Sequence, residues 1–534
     1  MQKSIEKIWS FVKKYWSYVI PILSYLYFCR FLNNRVDFII NPDNSSELIL
    51  SKILSDEGKI ITDSWYYSTE IRVLNTQLIF STLFKFTDNW HIVRVVGTCI
   101  LAAMMMLAMY YFSCQAGFKK YAPFLCSAVI LPLCYDYYIF VLNGAYYIPH
   151  ITFALLIMGM LFHMLRTKRT KVKIALMMCN SVIAVFMGMG GFRQILEVYL
   201  PIVLTAVVLW IVNAEKKKEL FEIKTWFLNE WNLLAVSSVI LLFFSVMGCA
   251  INLKILYHKY YFSAHGSIAF KQIMPNDFFT IFNGFLNSFG YRMNAVFSKA
   301  LLQNAYCLLL VFTAVAAIVL FVKKNKKLEL IEQFIILYFV TALICFSGVY
   351  LCTTMVPYED RYNIQILLFV FPMLLIVLKQ CNVQKIRTAA IFGTWFALIV
   401  CSYWTYDEVY LIDCNAELRQ IVKAVEDNGL EEGYASFWHG NNMTELSNGR
   451  IDVRVWADYA QDVTDINQVF KWLQKVEHSY TTPEGSFFCV FNAQERNTWT
   501  IAKKMEGMPV IYESDQYVVY KCDSYQQVAQ QLQN

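Results

Sequence analysis

Residues 301–322 read LLQNAYCLLLVFTAVAAIVLFV, and residues 323–327, which follow directly, read KKNKK. An apolar run of about 20 residues is long enough to cross the hydrocarbon core of a bilayer as an α-helix. Lysines that directly follow such a run mark its cytoplasmic end, because short cytoplasmic loops are rich in Lys and Arg. This stretch therefore predicts a membrane-spanning helix whose carboxyl end is cytoplasmic.

The same pattern recurs along the chain. Of its 534 residues, 57 % are hydrophobic and only 16 % are charged, whereas soluble domains carry about 25 % charged residues. We predict about eleven spans, at 15–33, 92–113, 121–142, 146–165, 174–192, 195–213, 231–251, 301–322, 330–352, 363–379 and 388–405. The fold class expected is thus an α-helical polytopic membrane protein.

Basic residues decide the predicted orientation. They cluster at 3–14, 119–120, 166–173, 216–218, 323–327 and 379–387. With an odd number of spans, all these clusters fall on one side, so the N-terminus is predicted to be cytoplasmic and the C-terminus extracytoplasmic. The net charge of +6 is small for this length and does not indicate a nucleic-acid partner. We expect a multi-pass protein of the plasma membrane.

The larger polar segments lie on the predicted outer side. Outer loops 34–91 and 252–300 belong to a transmembrane domain of residues 1–405, and residues 406–534 form a soluble domain. Strand-like and helix-like segments alternate in this tail, which is typical of a small α/β domain. The predicted strands are 434–438, 451–456, 486–492, 509–513 and 517–522, and the predicted helices are 415–427, 464–476 and 497–505.

The first outer loop contains two predicted amphipathic helices. Asn44 or Ser45 is expected to cap the first, in which residues 48–54 provide an apolar stripe, and residues 71–80 form the second. Such a helix is expected to lie on the outer membrane surface. Asp43 then stands at the amino end of the first helix.

The order of these segments resembles the GT-C glycosyltransferases, multi-span enzymes that use polyprenyl-phosphate-linked sugars. A first span is followed by an outer loop with an acidic residue before an amphipathic helix, many further spans and a soluble outer C-terminal domain. Glu359-Asp360-Arg361-Tyr362 resembles the Arg-Tyr element that some members carry before a late span. Segments 63–80 and 433–438 are also similar to bacterial members of this class.

The resemblance implies an outer-face enzyme that transfers a sugar from a polyprenyl-phosphate donor to a surface glycan, lipid or protein. The family's catalytic acidic residue maps best to Asp43, which would act as general base and take the proton of the acceptor hydroxyl. The family's adjacent Asp-Glu pair is absent, so Glu47, Asp63 and Glu70 stay open as alternatives. The structural alternative for Asp43 is a turn or capping carboxylate after Pro42.

Arginines at the outer ends of spans are the candidates for binding the donor phosphate. Arg361 opens the tenth span, with Tyr362 beside it, and Arg193 joins the fifth and sixth spans. A guanidinium holds a phosphate by bidentate hydrogen bonds. The structural alternatives are an ion pair of Arg361 with Glu359 or Asp360, and an i,i+4 pair of Arg193 with Glu197. Two further candidates are His150, at the outer start of the fourth span, and Arg72.

Two other functions stay open: a transporter of lipid-linked glycans, and a glycan polymerase or ligase. Transporters usually have internal repeats and binding sites near the membrane midplane, whereas the polar residues here concentrate at the outer ends of the spans, which favours the enzyme. The sequence has no Walker motif, no GxSxG and no clustered metal ligands. No cofactor is predicted, and a divalent metal stays open because only some GT-C members use one.

Overall fold

The computed structural model describes residues 16–144, 146–212, 229–262, 269–293, 300–354, 358–456 and 466–533. The chain forms two compact units. The helical unit comprises the described parts of Met1–Arg30, Leu101–Asn252 and His265–Leu411, and the mixed unit those of Phe31–Ile100, Leu253–Ala264 and Ile412–Asn534. The first outer loop and the tail therefore belong to the same compact unit. The predicted limits 1–405 and 406–534 concern membrane topology and stay a prediction.

Nine helices among the described residues are long and apolar enough to cross a membrane. They are Trp90–Gln115, Ile148–Arg166, Thr170–Met189, Phe192–Val212, Glu230–His258, Ala300–Lys327, Leu330–Cys352, Asp360–Lys379 and Gln384–Tyr410. Each coincides with one predicted span. A helix satisfies its own backbone hydrogen bonds in lipid, so a long apolar run that crosses the membrane forms a helix.

The predicted span 121–142 is a broken pair of helices. Lys119–Ile130 and Tyr135–Asn143 are bent by 91° relative to each other. The break follows from Pro132, because the residue before a proline avoids the helical region. Leu131 accordingly has extended backbone angles, φ −97° and ψ 113°.

The predicted first span begins outside the described residues. Its described part lies in the helix Val19–Ile39, which follows a 3-10 turn at Trp16–Tyr18. Polar residues such as Arg30, Asn33 and Asn34 lower the hydropathy of this helix, and it is not among the nine. The total of eleven spans therefore stays a prediction. The basic clusters 3–14 and 216–218 also lie outside the described residues.

The described residues of the mixed unit form eight strands: β1 Trp65–Tyr67, β2 Tyr261–Phe262, β3 Glu432–Ser436, β4 Asp452–Trp456, β5 Gln474–Lys475, β6 Phe487–Asn492, β7 Val510–Glu513 and β8 Tyr517–Cys522. The larger sheet has the order β4-β3-β6-β8-β7, in which β4, β3 and β6 are parallel and β8 is antiparallel to both neighbours. The smaller sheet has the order β2-β1-β5. The tail helices are Ala416–Asp427, Phe437–Leu446, Ala493–Thr498, Thr500–Lys504 and Tyr525–Gln533.

The larger sheet is buried on both faces. Along β6, Phe487, Cys489 and Phe491 pack into one hydrophobic cluster, while Phe488 and Val490 pack into another. This division follows the period of two of a strand, in which successive side chains point to opposite faces. The predicted α/β tail is confirmed.

Three predicted elements of the tail differ from the structure. The strand at 434–438 ends at Ser436, and a helix that was not predicted, Phe437–Leu446, follows it. The described part of the predicted helix 464–476 instead contains the short strand β5. The side chain of Gln474 accepts from the backbone N–H of Val455 at 3.1 Å and donates to its carbonyl at 3.0 Å, which ties this segment to β4. The predicted helix 497–505 is divided between Ala493–Thr498 and Thr500–Lys504.

The first helix of the outer loop, Pro42–Glu57, is called the loop helix below. It begins earlier than predicted, because Asn41 rather than Asn44 or Ser45 is its cap: Asn41 Oδ1 accepts from the backbone N–H of Asn44 at 3.0 Å. Proline suits the first helical position, since its fixed φ is helical and it has no N–H to satisfy. The helix ends at Gly58, whose φ of +66° favours glycine.

The expectation that the loop helix lies on the membrane surface is wrong. It packs against the helices Gln77–Phe84 and Phe437–Leu446, and its apolar residues Leu48 and Leu54 are buried. Protein rather than lipid therefore covers its apolar face. The second predicted loop helix, 71–80, is shifted to Gln77–Phe84.

Candidate active site

Amide and hydroxyl side chains fix the amino end of the loop helix. Asn415 Nδ2 donates to the carbonyl oxygen of Ile40 at 3.0 Å, and Asn442 Nδ2 donates to the same oxygen at 3.3 Å. Ser45 Oγ in turn donates to Asn442 Oδ1 at 3.0 Å. These bonds are buried, where a hydrogen bond is electrostatically stronger than in water. The turn that carries Asp43 is thus held from both sides by the tail.

The loop helix presents two acidic candidates on one face. Asp43 is exposed in its first turn, and Glu47, one turn further on, is half-buried. Glu47 accepts hydrogen bonds from Thr76 Oγ1 and, at 3.2 Å, from Asn75 Nδ2. Burial raises the pKa of Glu47 above its usual range, although the Thr76 hydrogen bond and the charge of Arg72 act in the opposite direction. A raised carboxyl pKa is common at acid–base sites.

The other acidic candidates of the loop are held in ion pairs. Glu70 is buried, and Arg72 donates to its Oε1 from Nε at 3.0 Å and from Nη2 at 2.5 Å. Asp63 is exposed and lies 3.3 Å from Lys59 Nζ. Asp43 and Glu47 therefore stand together, whereas Asp63 lies beyond the carboxyl end of the same helix.

A buried ion pair supports this region and was not predicted. Arg94, whose side chain is 0 % exposed, donates to both carboxylate oxygens of Glu445 at 2.9 and 2.7 Å. It also donates to the carbonyl oxygen of Asn44 at 2.8 Å. The sequence held one signal, since an arginine inside an apolar span is a functional hypothesis by default. Nothing in the local sequence identifies Glu445 as its partner.

In the helical unit, the arginine cluster consists of Arg193, Arg361, Tyr147 and Tyr362. The guanidinium carbon of Arg193 lies 4.1 Å from the ring centre of Tyr147 and 5.0 Å from that of Tyr362. That of Arg361 lies 5.7 Å from the same Tyr362 ring. Cations are attracted to ring faces at these distances. The three residues predicted to bind phosphate, Arg193, Arg361 and Tyr362, are thus brought together.

The acidic neighbours of the two arginines differ. Arg193 Nε donates to Glu197 Oε1 at 2.9 Å, so the i,i+4 pair is present. Arg193 Nη2 is buried, and within the described part of the chain it has no hydrogen-bond partner. Arg361 Nε lies 3.9 Å from Glu359 Oε2, which is beyond hydrogen-bond distance. Arg193 Nη2 therefore retains donor capacity for an anion.

Local backbone features position the arginines. Gly191, with φ +84°, turns the chain into the helix that carries Arg193. Arg361 lies in the 3-10 turn Asp360–Asn363, which packs against the helix Pro275–Ser288. Ser288 Oγ donates to the carbonyl of Asp360 at 2.8 Å. The approach needs a glycine at 284, because a Cβ there would lie 2.3 Å from the Asp360 carboxylate.

His150 adjoins the cluster through Tyr147. It is buried, its Nδ1 accepts from Gln194 Nε2, and its ring centre lies 6.0 Å from that of Tyr147. Sequence reasoning singled out His150 and its neighbour Arg193, but not the two residues that join them. The helix Phe192–Val212 begins with a π-helical turn at Ile195–Tyr199, and such turns are frequent at functional sites.

One group of three side chains in the described residues has ligand atoms close enough to share a metal ion: Asp452, Glu477 and His478. Lys475 Nζ lies 2.7 Å from the Asp452 carboxylate and 3.5 Å from that of Glu477. An ammonium group at this place repels a cation and offsets part of the negative charge of the two carboxylates. The group is an ion-pair network and does not fit a metal site.

Comparison with known proteins gives structural but no sequence matches: no protein-family model and no curated protein matches the chain. ArnT from Cupriavidus metallidurans bound to undecaprenyl phosphate is similar with a TM-score of 0.57 and 11 % identity, over 94 % of this chain and 97 % of that one. ArnT in the apo state gives the same TM-score at 10 % identity. The apo oligosaccharyltransferase of Archaeoglobus fulgidus has a TM-score of 0.51 and 11 % identity, over 93 % of this chain and 72 % of that one. The chain therefore has the fold that ArnT and this oligosaccharyltransferase share.

Proposed function

We propose that the protein transfers a sugar from a polyprenyl-phosphate-linked donor to a surface glycan, lipid or protein on the outer face of a bacterial plasma membrane. The arginine cluster is the observation that carries this proposal. Two guanidinium groups face one tyrosine ring, and Nη2 of Arg193 is buried and unpaired among the described residues. Such forks match the oxygens of a phosphate group.

The phosphate is the leaving group of the proposed reaction. Negative charge grows on its oxygen as the bond to the sugar breaks, and donors aimed at that charge lower the barrier. We assign this role to Arg361 and Arg193, with Tyr362 orienting both through its ring. The fold shared with ArnT, a protein solved with undecaprenyl phosphate, supports a lipid-linked donor.

We assign the general base to Asp43. It is exposed at the start of a helix whose amino end is fixed, so an acceptor hydroxyl can reach it. Glu47 is the second choice, because Thr76 and Asn75 already occupy its oxygens. Glu70, paired with Arg72, and Asp63, at the other end of the loop helix, rank lower.

Mass spectrometry of surface glycans, with and without this protein, tests the proposal. A transferase leaves the glycan on the surface and adds one sugar to it, so its loss should lower the glycan mass by one glycosyl unit. A transporter would instead remove whole glycans, and a polymerase would change their length distribution. Identical glycans in the two strains would contradict the proposal.

A further inference from the structure

An open groove of about 490 Å³ lies in the mixed unit. Its lining residues are distinct from those of the arginine cluster. The carboxyl end of the loop helix, the turn after it and the tail segment 475–480 form its walls. Its lining includes carboxylates and tyrosines: Asp56, Glu57, Asp63, Glu477, Tyr261 and Tyr480.

The two tyrosines expose large ring surfaces from firmly held backbone. Tyr261 is 51 % exposed and Tyr480 is 71 % exposed. Tyr261 lies on β2, with its ring 5.4 Å from that of Tyr66 on β1. Tyr66 Oη also hydrogen-bonds Ser479 Oγ at 2.9 Å, next to Tyr480. A tyrosine offers an apolar ring face and a polar tip, which suits a sugar with apolar C–H faces and a rim of hydroxyls.

The carboxylates supply fixed acceptors for hydroxyl or amino groups. Glu57 accepts from Thr62 and Ser64 hydroxyls, each at 2.6 Å, and pairs with Lys59 at 2.9 Å. Burial opposes ionisation of Glu57, but the Ser64 and Thr62 hydrogen bonds prevail and lower its pKa. An ionised carboxylate only accepts hydrogen bonds. Each lining carboxylate has a lysine partner: Lys52 pairs with Asp56 at 2.6 Å, Lys59 with Glu57 and Asp63, and Lys475 with Glu477 at 3.5 Å and with Asp452 at 2.7 Å. These five carboxylates outnumber the three ammonium groups, so this wall keeps a net negative charge, which disfavours an acidic ligand.

The groove and Asp43 lie at opposite ends of the loop helix. Fourteen residues separate Asp43 from Glu57, and at 1.5 Å per residue this is about 21 Å along the helix axis. A ligand that reaches from one end to the other must be an extended chain. We propose that the groove binds the distal part of an acceptor oligosaccharide, one that carries hydroxyl or amino groups and no acidic groups. That this oligosaccharide is the acceptor of the reaction rests on the proposed function, whereas its binding in the groove does not.

Equilibrium binding to the full chain in nanodiscs, measured by calorimetry without donor, tests this inference. The probes are hexamers of N-acetylglucosamine, glucosamine and galacturonic acid, which are neutral, cationic and anionic. We expect the neutral and cationic hexamers to bind and the anionic one to bind at least tenfold more weakly. Asp63→Asn should reduce the advantage of the cationic hexamer. No binding of any probe, or a preference for the anionic one, would overturn the inference.

Variants of Tyr480 test whether the ring is the contact. Tyr480→Ala should weaken binding about three- to tenfold, the scale of one aromatic contact, and Tyr480→Phe should bind like the wild type. Phe86→Ala is the matched control, since Phe86 is an 81 % exposed ring of the same unit outside the groove lining. Unchanged binding by Tyr480→Ala, or an equal loss in the Phe86 control, would count against the groove. The binding measurement contains no donor. Normal sugar transfer by the Arg361 variants would therefore refute the proposed function and would not affect the binding result.

Discussion

Replacing Arg361 separates a phosphate-binding role from a structural one, because turnover is counted per folded molecule. Its ion pair with Glu359 spans 3.9 Å between side chains that are 30 % and 46 % exposed, and such pairs contribute at most about 1 kcal/mol. The contacts with the Phe140 and Tyr362 rings, at 5.0 and 5.7 Å, add about 0.5–1 kcal/mol each. These three contacts together contribute no more than about 3 kcal/mol to the stability of the fold.

The expected loss of activity is larger. Removing one preorganised donor to a developing anion costs about 10²–10³ in kcat, so Arg361→Ala should lower turnover by this factor. Arg361→Lys keeps the charge but loses the planar fork, and should fall between Ala and the wild type.

Transfer by variants reconstituted in liposomes is the assay, with turnover counted per folded molecule after size-exclusion chromatography. Glu359→Gln is the matched control, since it removes the ion pair and keeps the guanidinium. Normal turnover per folded Arg361→Ala molecule would refute the phosphate role, and a large loss in the control would indicate that the ion pair itself matters.

Three further predictions concern the mixed unit. Asp43→Asn should lower transfer about 10²–10⁴-fold in the same liposome assay and Glu47→Gln less; the reverse order would make Glu47 the base. Arg94→Met should destabilise the mixed unit by about 3–5 kcal/mol, because Glu445 is left buried and unpaired. The double variant Arg94→Met with Glu445→Leu should recover part of this loss, as measured by thermal unfolding. A single Arg94→Met variant as stable as the wild type would contradict the argument. Burial lowers the pKa of His439 to about 4. As the pH falls, this histidine is therefore protonated in the unfolded chain before it is protonated in the folded one. About 3 kcal/mol of folding stability that is present above pH 6.5 should be lost as the pH falls towards 4. Hydrogen exchange of β6 in the full chain at pH 7 and pH 5 checks this, with His439→Gln expected to remove the difference.

Local sequence information was sufficient for nine of the eleven predicted spans and for most of the sheet. Length and hydropathy place a membrane helix, and the alternation of Phe487 to Phe491 marks a strand buried on both faces. Prediction failed where a distant partner decides the local structure. Gln474 belongs to a strand because it pairs with Tyr66 of β1, and the loop helix is covered because the tail packs on it.

The candidate site shows the same division. Arg193 and Arg361 were identified because a cation at the end of an apolar span is costly and conspicuous, and Tyr362 because it stands beside Arg361. Their grouping around one ring depends on the packing of separate helices, which no local pattern contains. Arg94 and Glu445 are 351 residues apart, so only the folded chain reveals their pairing.

Binding of undecaprenyl phosphate to the purified full chain tests the central claim most directly, because it depends on the arginine cluster and on no assumption about the sugar or the acceptor. Native mass spectrometry of the detergent-solubilised protein can follow it for the wild type, Arg193→Ala, Arg361→Ala and the Glu359→Gln control. A hydrogen bond to a charged group contributes about 1.5–3 kcal/mol, so each arginine variant should bind at least about tenfold more weakly while the control binds normally. Equal binding by the wild type and both arginine variants would contradict the account.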